Sequence, residues 1–226
     1  MTLSGKNPKT NTETAAENDL TELVFILDRS GSMAPLTEDT IGGYNSLLDK
    51  QRGEEGGAIV TTVLFDDAYD VIVEGADIET VNPLDNKTYY ARGMTALLDA
   101  VGKTLISVET RQNRMPADHR PGKTVVAIIT DGCENASREF SLETVKRMIE
   151  ARKKNGWEFL FLGANIDAVK TAGSFGIDAS RAATYRADAV GTRLNFMSVG
   201  NFMAKARACE AVDETWKEDI ERYERS

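Results

Sequence analysis

Two short apolar runs constrain the fold of this chain more than any other feature, because each is continuous and each ends in a polar turn. The first covers residues 23–27 and is followed by Asp28, and the second covers residues 125–129 and is followed by Thr130 and Asp131. Runs of this length without alternation are typical of strands buried on both faces of a parallel sheet. If the two strands are neighbours, both carboxylates project into one crevice at the carboxyl edge of the sheet.

The rest of the chain alternates strand-like runs with amphipathic helical patterns. Strands are predicted over residues 22–28, 58–65, 69–73, 123–130, 157–162 and 183–186. Helices are predicted over residues 37–52, 96–111, 142–154 and 166–175. The turn Asp66-Asp67 joins two of the strands, so this pair predicts a hairpin and an antiparallel arrangement. The pattern as a whole predicts an α/β fold, with a mostly parallel sheet covered by helices on both faces.

The two ends of the chain differ from this middle part, which predicts one domain over residues 21–190. Residues 1–20 are polar and nearly free of apolar side chains, which predicts a disordered tail. Residues 191–226 predict one C-terminal amphipathic helix, because apolar side chains recur at steps of three and four. Its stripe consists of Phe202, Ala206, Cys209, Val212, Trp216, Ile220 and Tyr223. We expect this helix to pack on the domain, and docking of a partner or a second copy is the alternative.

The composition argues against several classes of partner and location. A formal net charge of −9 argues against binding to nucleic acid or to an anionic membrane, since both require a basic surface. No apolar run approaches the roughly 18 residues that span a bilayer, and the N-terminus lacks the pattern of a signal peptide. The two cysteines, Cys133 and Cys209, lie far apart, which fits a reducing compartment better than a disulfide framework. We therefore expect a cytoplasmic protein.

Three separated segments place small oxygen-bearing side chains at the ends of predicted elements. They supply the candidate ligands of one metal ion, which are Asp28, Ser30, Ser32, Thr95 and Asp131. Two carboxylates and three hydroxyls form a half-shell for a hard divalent cation, in which some contacts run through water. Magnesium is favoured because calcium usually takes more oxygen ligands, and manganese or calcium are the alternatives. Such an ion keeps room for a further ligand.

Each segment also has an ordinary structural interpretation. The serines and aspartates are common turn residues, and Thr95 is a suitable N-cap for the helix that begins at residue 96. The metal site is favoured by the combination of the three segments, each of which falls at the end of a predicted strand or the start of a predicted helix.

The three segments form a family pattern, D-x-S-x-S from Asp28, G-x-T ending at Thr95 and T-D-G around Asp131. This pattern resembles the metal-ion-dependent adhesion site (MIDAS) of the von Willebrand factor A family, with all five positions filled. The resemblance implies a Rossmann-like doubly wound sheet with one antiparallel edge strand. It also implies bound Mg²⁺ and a protein partner whose acidic group completes the site. The chain is most similar to bacterial intracellular members, some of which work alongside chaperone-like ATPases.

Two other functions stay open on the sequence alone. One is a metal-dependent hydrolase, because a metal-bound water is a potential nucleophile. The other is a scaffold whose metal is purely structural. The residues favour neither, since His119 lies in a polar loop and Cys133 has no histidine near it in sequence to activate it. We therefore expect a binding protein rather than an enzyme.

Four neighbours of the candidate ligands carry groups that can influence a partner. Arg29 and Arg92 each lie beside a ligand in sequence and are candidates for steering an acidic partner. Glu134 and Asn135 follow Asp131 closely and are candidates for surrounding the site. For all four, the ordinary interpretation as residues of solvated loops is favoured over a role at the site.

Overall fold

The architecture is a single sheet between two layers of helices. A computed structural model describes residues 19–226, so residues 1–18 of the predicted polar tail lie outside the described part. The strands are β1 (Thr21–Asp28), β2 (Ala58–Phe65), β3 (Tyr69–Asp77), β4 (Lys123–Thr130), β5 (Glu158–Ala164) and β6 (Ala182–Tyr185). Their order across the six-stranded sheet is β3-β2-β1-β4-β5-β6, and only the β2–β3 pair is antiparallel. The predicted mostly parallel sheet with one antiparallel edge strand is confirmed.

The helices divide between the two faces of the sheet. They are α1 (Thr37–Arg52), α2 (Leu97–Arg114), α3 (Leu142–Lys154), α4 (Ala168–Ser174), α5 (Ala189–Arg207) and α6 (Glu218–Glu224). Side chains of α1, α5 and α6 share one apolar core, and those of α2, α3 and α4 share the other. Within residues 19–226, every helix is too short or too polar to cross a membrane.

The position of β1 between the two helical layers explains why its sequence is apolar throughout rather than alternating. Leu23, Phe25 and Leu27 belong to the core beneath α1 and α5, whereas Val24 and Ile26 belong to the core beneath α2 and α3. Successive side chains of a strand point to opposite faces, so a strand covered on both sides has to be apolar at every position. Burial of these strands fixes their carboxyl ends at one edge of the domain.

The single helix expected over residues 191–226 is wrong. Helix α5 ends at Arg207, and Cys209 has a φ of 56°, a left-handed conformation that breaks the helical path. The Asp213 side chain then accepts a hydrogen bond from the backbone N–H of Thr215 and starts a short 3-10 turn before α6. The apolar stripe is real but is shared between two segments, and Trp216 and Ile220 are buried from the second one.

Candidate metal centre

The candidate ligands lie where the order of the parallel strands reverses. The chain leaves β1 towards β2 on one side of the sheet and leaves β4 towards β5 on the other, and β1 and β4 are direct neighbours. Loops that diverge in this way open a crevice at the carboxyl ends of the two strands, the usual ligand position in such sheets. Asp28 is the last residue of β1, and Asp131 follows the last residue of β4.

The carboxylate of Asp28 is fixed by hydrogen bonds on both oxygens. Its Oδ1 accepts the backbone N–H of Ser30 at 2.6 Å, and its Oδ2 accepts the hydroxyl of Thr130 at 2.5 Å. The buried Tyr89 hydroxyl donates to the backbone carbonyl of Asp28 at 2.6 Å. The sequence contained no signal for the role of Tyr89. Together these contacts hold the end of β1 and the start of its loop in one arrangement.

The hydroxyls form a short relay from the first segment to the third. Ser32 Oγ donates to Asp131 Oδ1 at 2.6 Å, and the hydroxyls of Ser30 and Ser32 are 3.1 Å apart. The Ser32 hydrogen is used on Asp131, and the Ser30 hydroxyl lies within hydrogen-bonding reach of both Ser32 and Asp28. With their hydrogens directed towards these oxygens, both serines keep oxygen lone pairs for a cation.

Thr95 joins the same cluster from the second segment. A Cβ built on Gly132 would lie 3.3 Å from Thr95 Oγ1 and 3.7 Å from Ser32 Oγ, so both hydroxyls face the same small space. Thr95 is not the N-cap of α2, because Ala96 occupies that position and makes no side-chain capping bond. The structure therefore brings all five predicted residues together, and their role as metal ligands stays a prediction.

The electrostatics of this cluster favour a bound cation. Asp28 and Asp131 are 1% and 4% exposed, and neither forms an ion pair with a basic side chain of the described residues. Burial raises the pKa of Asp28 to about 6, the hydrogen bonds from Thr130 and Ser30 oppose this, and the charge of Asp131 adds to it. Burial also raises the pKa of Asp131, against the bond from Ser32. Two buried carboxylates without a counter-charge are costly unless a cation accompanies them.

The donor set identifies the kind of cation that fits. Residues 19–226 contain no group of three or more His, Cys, Asp or Glu side chains able to hold a metal. A site here consequently depends on two carboxylates supplemented by hydroxyl oxygens. All-oxygen sites with few carboxylates suit magnesium, which retains several water ligands, better than a soft or thiophilic metal.

Loops that carry the ligands are tied to one another by backbone hydrogen bonds. The Gly31 N–H donates to the Gly93 carbonyl at 3.1 Å, and the Arg92 N–H donates to the Arg29 carbonyl at 2.8 Å. These two bonds join the first segment to the second. Gly93 has a φ of 67°, and a Cβ there would lie 1.9 Å from the Asp67 carboxylate, so glycine is required at this crossing.

Glu134 and Asn135 act on the second segment rather than on the partner side of the site. Asn135 Oδ1 accepts the Thr95 N–H at 2.9 Å, and the Asn135 N–H donates to the Thr95 carbonyl at 3.0 Å. Glu134 Oε2 accepts the Leu98 N–H at 2.8 Å and so caps the first turn of α2 from another loop. Both residues hold Thr95 against the loop that follows Asp131.

Arg29 lies in the interior, where it cannot steer a partner. It is 2% exposed, its Nε donates to Asp66 Oδ2 at 3.0 Å, and its second guanidinium nitrogen pairs with Asp70. Arg92 is more exposed, but its Nε also donates to Asp66 at 2.7 Å. Burial raises the pKa of Asp66, but the bonds from Arg92 and Ala68 and the charge of Arg29 outweigh it, so the pKa is lowered. Asp66 thus pairs with both arginines, and no pattern in the sequence indicated this role.

The remaining polar candidates lie apart from the cluster or on its surface. His119 belongs to a short 3-10 turn just before β4, at the opposite edge of the sheet from Asp131. Cys133 and Cys209 are both exposed, and both are free thiols.

Comparison with known proteins identifies the fold. No protein-family model matches the sequence, and no curated protein matches it. Proximal thread matrix protein 1 of the mussel byssus, solved with zinc in its MIDAS motif, matches with a TM-score of 0.57 at 16% identity. That match covers 81% of this chain and 46% of the other. The von Willebrand factor type A protein of Catenulispora acidiphila matches with a TM-score of 0.53 at 16% identity, over 83% of this chain and 42% of the other.

A third similar structure also contains a metal ion. The manganese-loaded TRAP protein of Plasmodium vivax has a TM-score of 0.54 at 16% identity, over 80% of this chain and 74% of the other. The chain thus spans less than half of the first two proteins. The TM-scores support the von Willebrand factor A fold for this chain. Sequence identities this low say nothing of its partner or activity.

Proposed function

We propose that this chain is a magnesium-dependent protein–protein interaction module that binds an acidic group of its partner through a MIDAS metal. The ion would be held by Asp28, Ser30, Ser32, Thr95 and Asp131. The observation that carries the proposal is the pair of buried carboxylates, Asp28 and Asp131, which no basic side chain of the described residues neutralises. A cation bound between them would balance this charge.

The candidate ligands of the ion have two different roles, one in supplying charge and one in supplying neutral oxygens. Asp28 and Asp131 supply the negative charge, while Ser30 and Ser32 supply neutral oxygens whose hydrogens are already directed elsewhere. When bound, Mg²⁺ supplies an electrophilic position open to a carboxylate. Hydroxyl ligands add no charge, so the site keeps its preference for an anionic group of the partner. The partner class implied by the family resemblance, a chaperone-like ATPase system, remains a prediction, as does a cytoplasmic location.

Binding is favoured over catalysis by the placement of the remaining reactive groups. His119 is at the far edge of the sheet and cannot serve as a base at the crevice. The exposed thiol of Cys133 has no histidine partner among the described residues, because His119 is the only histidine of the chain. The two alternatives, a metal-dependent hydrolase and a scaffold with a purely structural metal, make different predictions for the experiment below.

The magnesium assignment rests on chemistry and is open to direct competition. Zinc in the byssus protein and manganese in the TRAP protein belong to those structures. They support a divalent cation at the corresponding place here. Titration calorimetry with Mg²⁺, Mn²⁺ and Ca²⁺ orders the affinities, and we expect Asp28→Ala to abolish binding of all three.

The test of the function is capture of partners from the native cell lysate in three arms: wild type with Mg²⁺, wild type with EDTA, and Asp131→Ala with Mg²⁺. Asp219→Ala, which changes an exposed carboxylate on α6, is the matched control. A protein retained only by the wild type and the control in Mg²⁺ supports the proposal. Partners that ignore both the metal and Asp131 contradict it and favour a structural metal. Metal-dependent hydrolysis of a generic ester or phosphoester, lost in Asp131→Ala, would favour the hydrolase.

A further inference from the structure

A groove opens directly beside the candidate metal site, between the β2–β3 turn, the start of α2 and the loop that follows β4. Its cavity volume is about 250 Å³. We infer that this groove receives an apolar side chain of the same partner segment whose carboxylate binds the metal, and that Arg138 pairs with a second acidic group of that segment. This inference rests on the proposed function and deepens it by describing the partner.

The groove and the metal site share one stretch of backbone. Met94 and Ala96, the residues on either side of Thr95, both line the groove. The Asp67 side chain, which lies at the same end, accepts a hydrogen bond from the Met94 N–H at 3.4 Å. A partner segment whose carboxylate binds the metal beside Thr95 therefore places its own neighbouring residues at the mouth of the groove.

The size of the groove suits a side chain rather than a cofactor. Pockets for drug-sized ligands usually range from about 300 to 1,000 Å³. The volume of about 250 Å³ lies below that range. Tyr69, Ala96 and Ala100 form its apolar lining, and Met94 is 51% exposed at its edge. Charged residues make up the other part of the lining, so an apolar side chain would contact the side formed by these residues. Methionine and aromatic residues are enriched at the anchor positions of protein interfaces.

Most charges around the groove are already occupied within the protein. Lys103 Nζ is 2.7 Å from Glu139 Oε1 and lies 5.7 Å from the centre of the Tyr69 ring. Asp99 accepts three backbone N–H groups, from Arg138, Glu139 and Phe140, each at 2.9 Å. These groups shape the groove and have little capacity left for a partner.

Arg138 is the exception among the cations of the groove. Its side chain is exposed and forms no ion pair within residues 19–226, while its backbone is held by Asp99. A fixed backbone with an unpaired guanidinium suits recognition of a carboxylate. Because the metal also selects a carboxylate, the complementary segment carries two acidic groups with an apolar side chain near them.

The walls of the groove are held in place before any partner binds. Glu134 accepts the N–H groups of Ala136 and Ser137, at 3.0 and 2.7 Å, and Ser137 Oγ accepts the Asp99 N–H at 3.0 Å. With the three bonds to Asp99, these contacts fasten the loop onto α2. A preformed cavity avoids the entropic cost of ordering a loop on binding.

The experiment is a selection from a displayed library of twelve-residue peptides with one fixed central glutamate and all other positions random. Wild-type protein in Mg²⁺ is the target, and elution with EDTA recovers metal-dependent binders. Affinities of the selected peptides are then measured for two variants with matched controls. Ala68→Trp fills the mouth of the groove, and Ala151→Trp adds the same side chain at an exposed position of α3. Arg138→Glu reverses the unpaired charge at the groove, and Arg147→Glu makes the same change at another exposed position of α3.

We expect the selected peptides to share a large apolar residue and a second acidic residue at fixed distances from the central glutamate. We also expect Ala68→Trp and Arg138→Glu to weaken them at least tenfold, with less than twofold change in the controls. The Mg²⁺ affinity of all four variants should equal that of the wild type. Peptides that need Mg²⁺ but bind all four variants equally would overturn the groove and leave the proposed function standing. Failure to recover any metal-dependent peptide would overturn both.

Discussion

Asn135 and Thr95 exchange two hydrogen bonds, with the Thr95 N–H donating to the Asn135 side chain and the Asn135 N–H donating to the Thr95 carbonyl, at 2.9 and 3.0 Å. The pair resembles two residues of a sheet ladder, although neither lies in a strand. It fixes the distance between the segment that carries Thr95 and the loop that begins with Asp131. The geometry of the candidate metal site therefore depends on a residue that contributes no ligand to it.

Asn135→Ala removes the side-chain half of this exchange. We expect Mg²⁺ affinity to fall by about tenfold, the lower end of the effect of removing an outer partner of a metal ligand, because Thr95 loses its fixed position. Titration calorimetry measures the change, and Asn201→Ala, at an exposed position of α5, is the control. Unchanged affinity would mean that the backbone bond alone positions Thr95.

Asp28 links metal binding to pH. Burial raises its pKa to about 6, so the metal-free folded chain holds this proton more tightly than the unfolded chain does. The stability of the metal-free protein therefore falls as pH rises from about 4 to about 6, and the charged carboxylate costs about 3 kcal/mol above that range. Magnesium binds the charged form of Asp28, so at a pH below about 6 it has to displace the proton from this carboxyl group.

We expect Mg²⁺ to raise the midpoint of thermal unfolding more at about pH 7.5 than at about pH 5, because protons compete for Asp28 at the lower pH. Asp28→Asn removes the charge while keeping the shape. This variant should be more stable than the metal-free wild type at the higher pH and should lose its response to Mg²⁺. Equal stabilisation by Mg²⁺ at both pH values would contradict the coupling.

The parts of the fold and site that sequence predicts well are those set by local pattern. Continuous apolar runs locate β1 and β4, and the residues that follow them locate Asp28 and Asp131 at one edge, because parallel neighbours end together. The antiparallel β2–β3 pair follows from the short turn at Asp66. These inferences use only periodicity and chain direction, which do not change with tertiary context.

The parts that sequence fails to predict depend on contacts between distant segments. Arg29 is buried because Asp66, from the end of β2, supplies a counter-charge. The same side chain without that partner belongs in solvent, as expected for most arginines. The segment after the break at Arg207 likewise makes a contact between distant parts of the chain, since Trp216 Nε1 donates to the Ser180 carbonyl at 2.8 Å. A helical stripe cannot reveal such a turn, since its apolar spacing is kept on both sides.

Asp66 is expected to be essential for the stability of the ligand-bearing loops. Asp66→Ala leaves the guanidinium of Arg29 buried with Asp70 as its one remaining ion-pair partner among the described residues, and breaking a buried ion pair costs about 3–5 kcal/mol. Asp70→Ala removes a carboxylate that is half exposed, and its expected cost is below about 1 kcal/mol. Urea unfolding of the two variants measures the contrast. Similar losses in both would show that Asp66 is not the principal partner of Arg29.

Adjacent glycines of α1 give a matched test of how tightly α5 packs on that helix. A Cβ at Gly43 would lie 2.4 Å from Cδ2 of Phe196 on α5, whereas a Cβ at Gly42 would meet no atom within 4 Å. Gly43→Ala should therefore destabilise the protein by about 1–3 kcal/mol through overpacking. Gly42→Ala should stabilise it by about 0.5–1 kcal/mol, because alanine favours a helix over glycine.

Thermal unfolding resolves this contrast, since about 1 kcal/mol shifts the midpoint by about 2–4 °C in a chain of this size. The two substitutions add the same methyl group to the same helix, so a difference in sign reports the contact with Phe196 alone. Stabilisation by both would mean that α5 can move away from α1 at little cost. A loss of thermal stability in Gly43→Ala alone, with unchanged Mg²⁺ affinity, would show that the α1–α5 contact stabilises the fold without affecting the metal site.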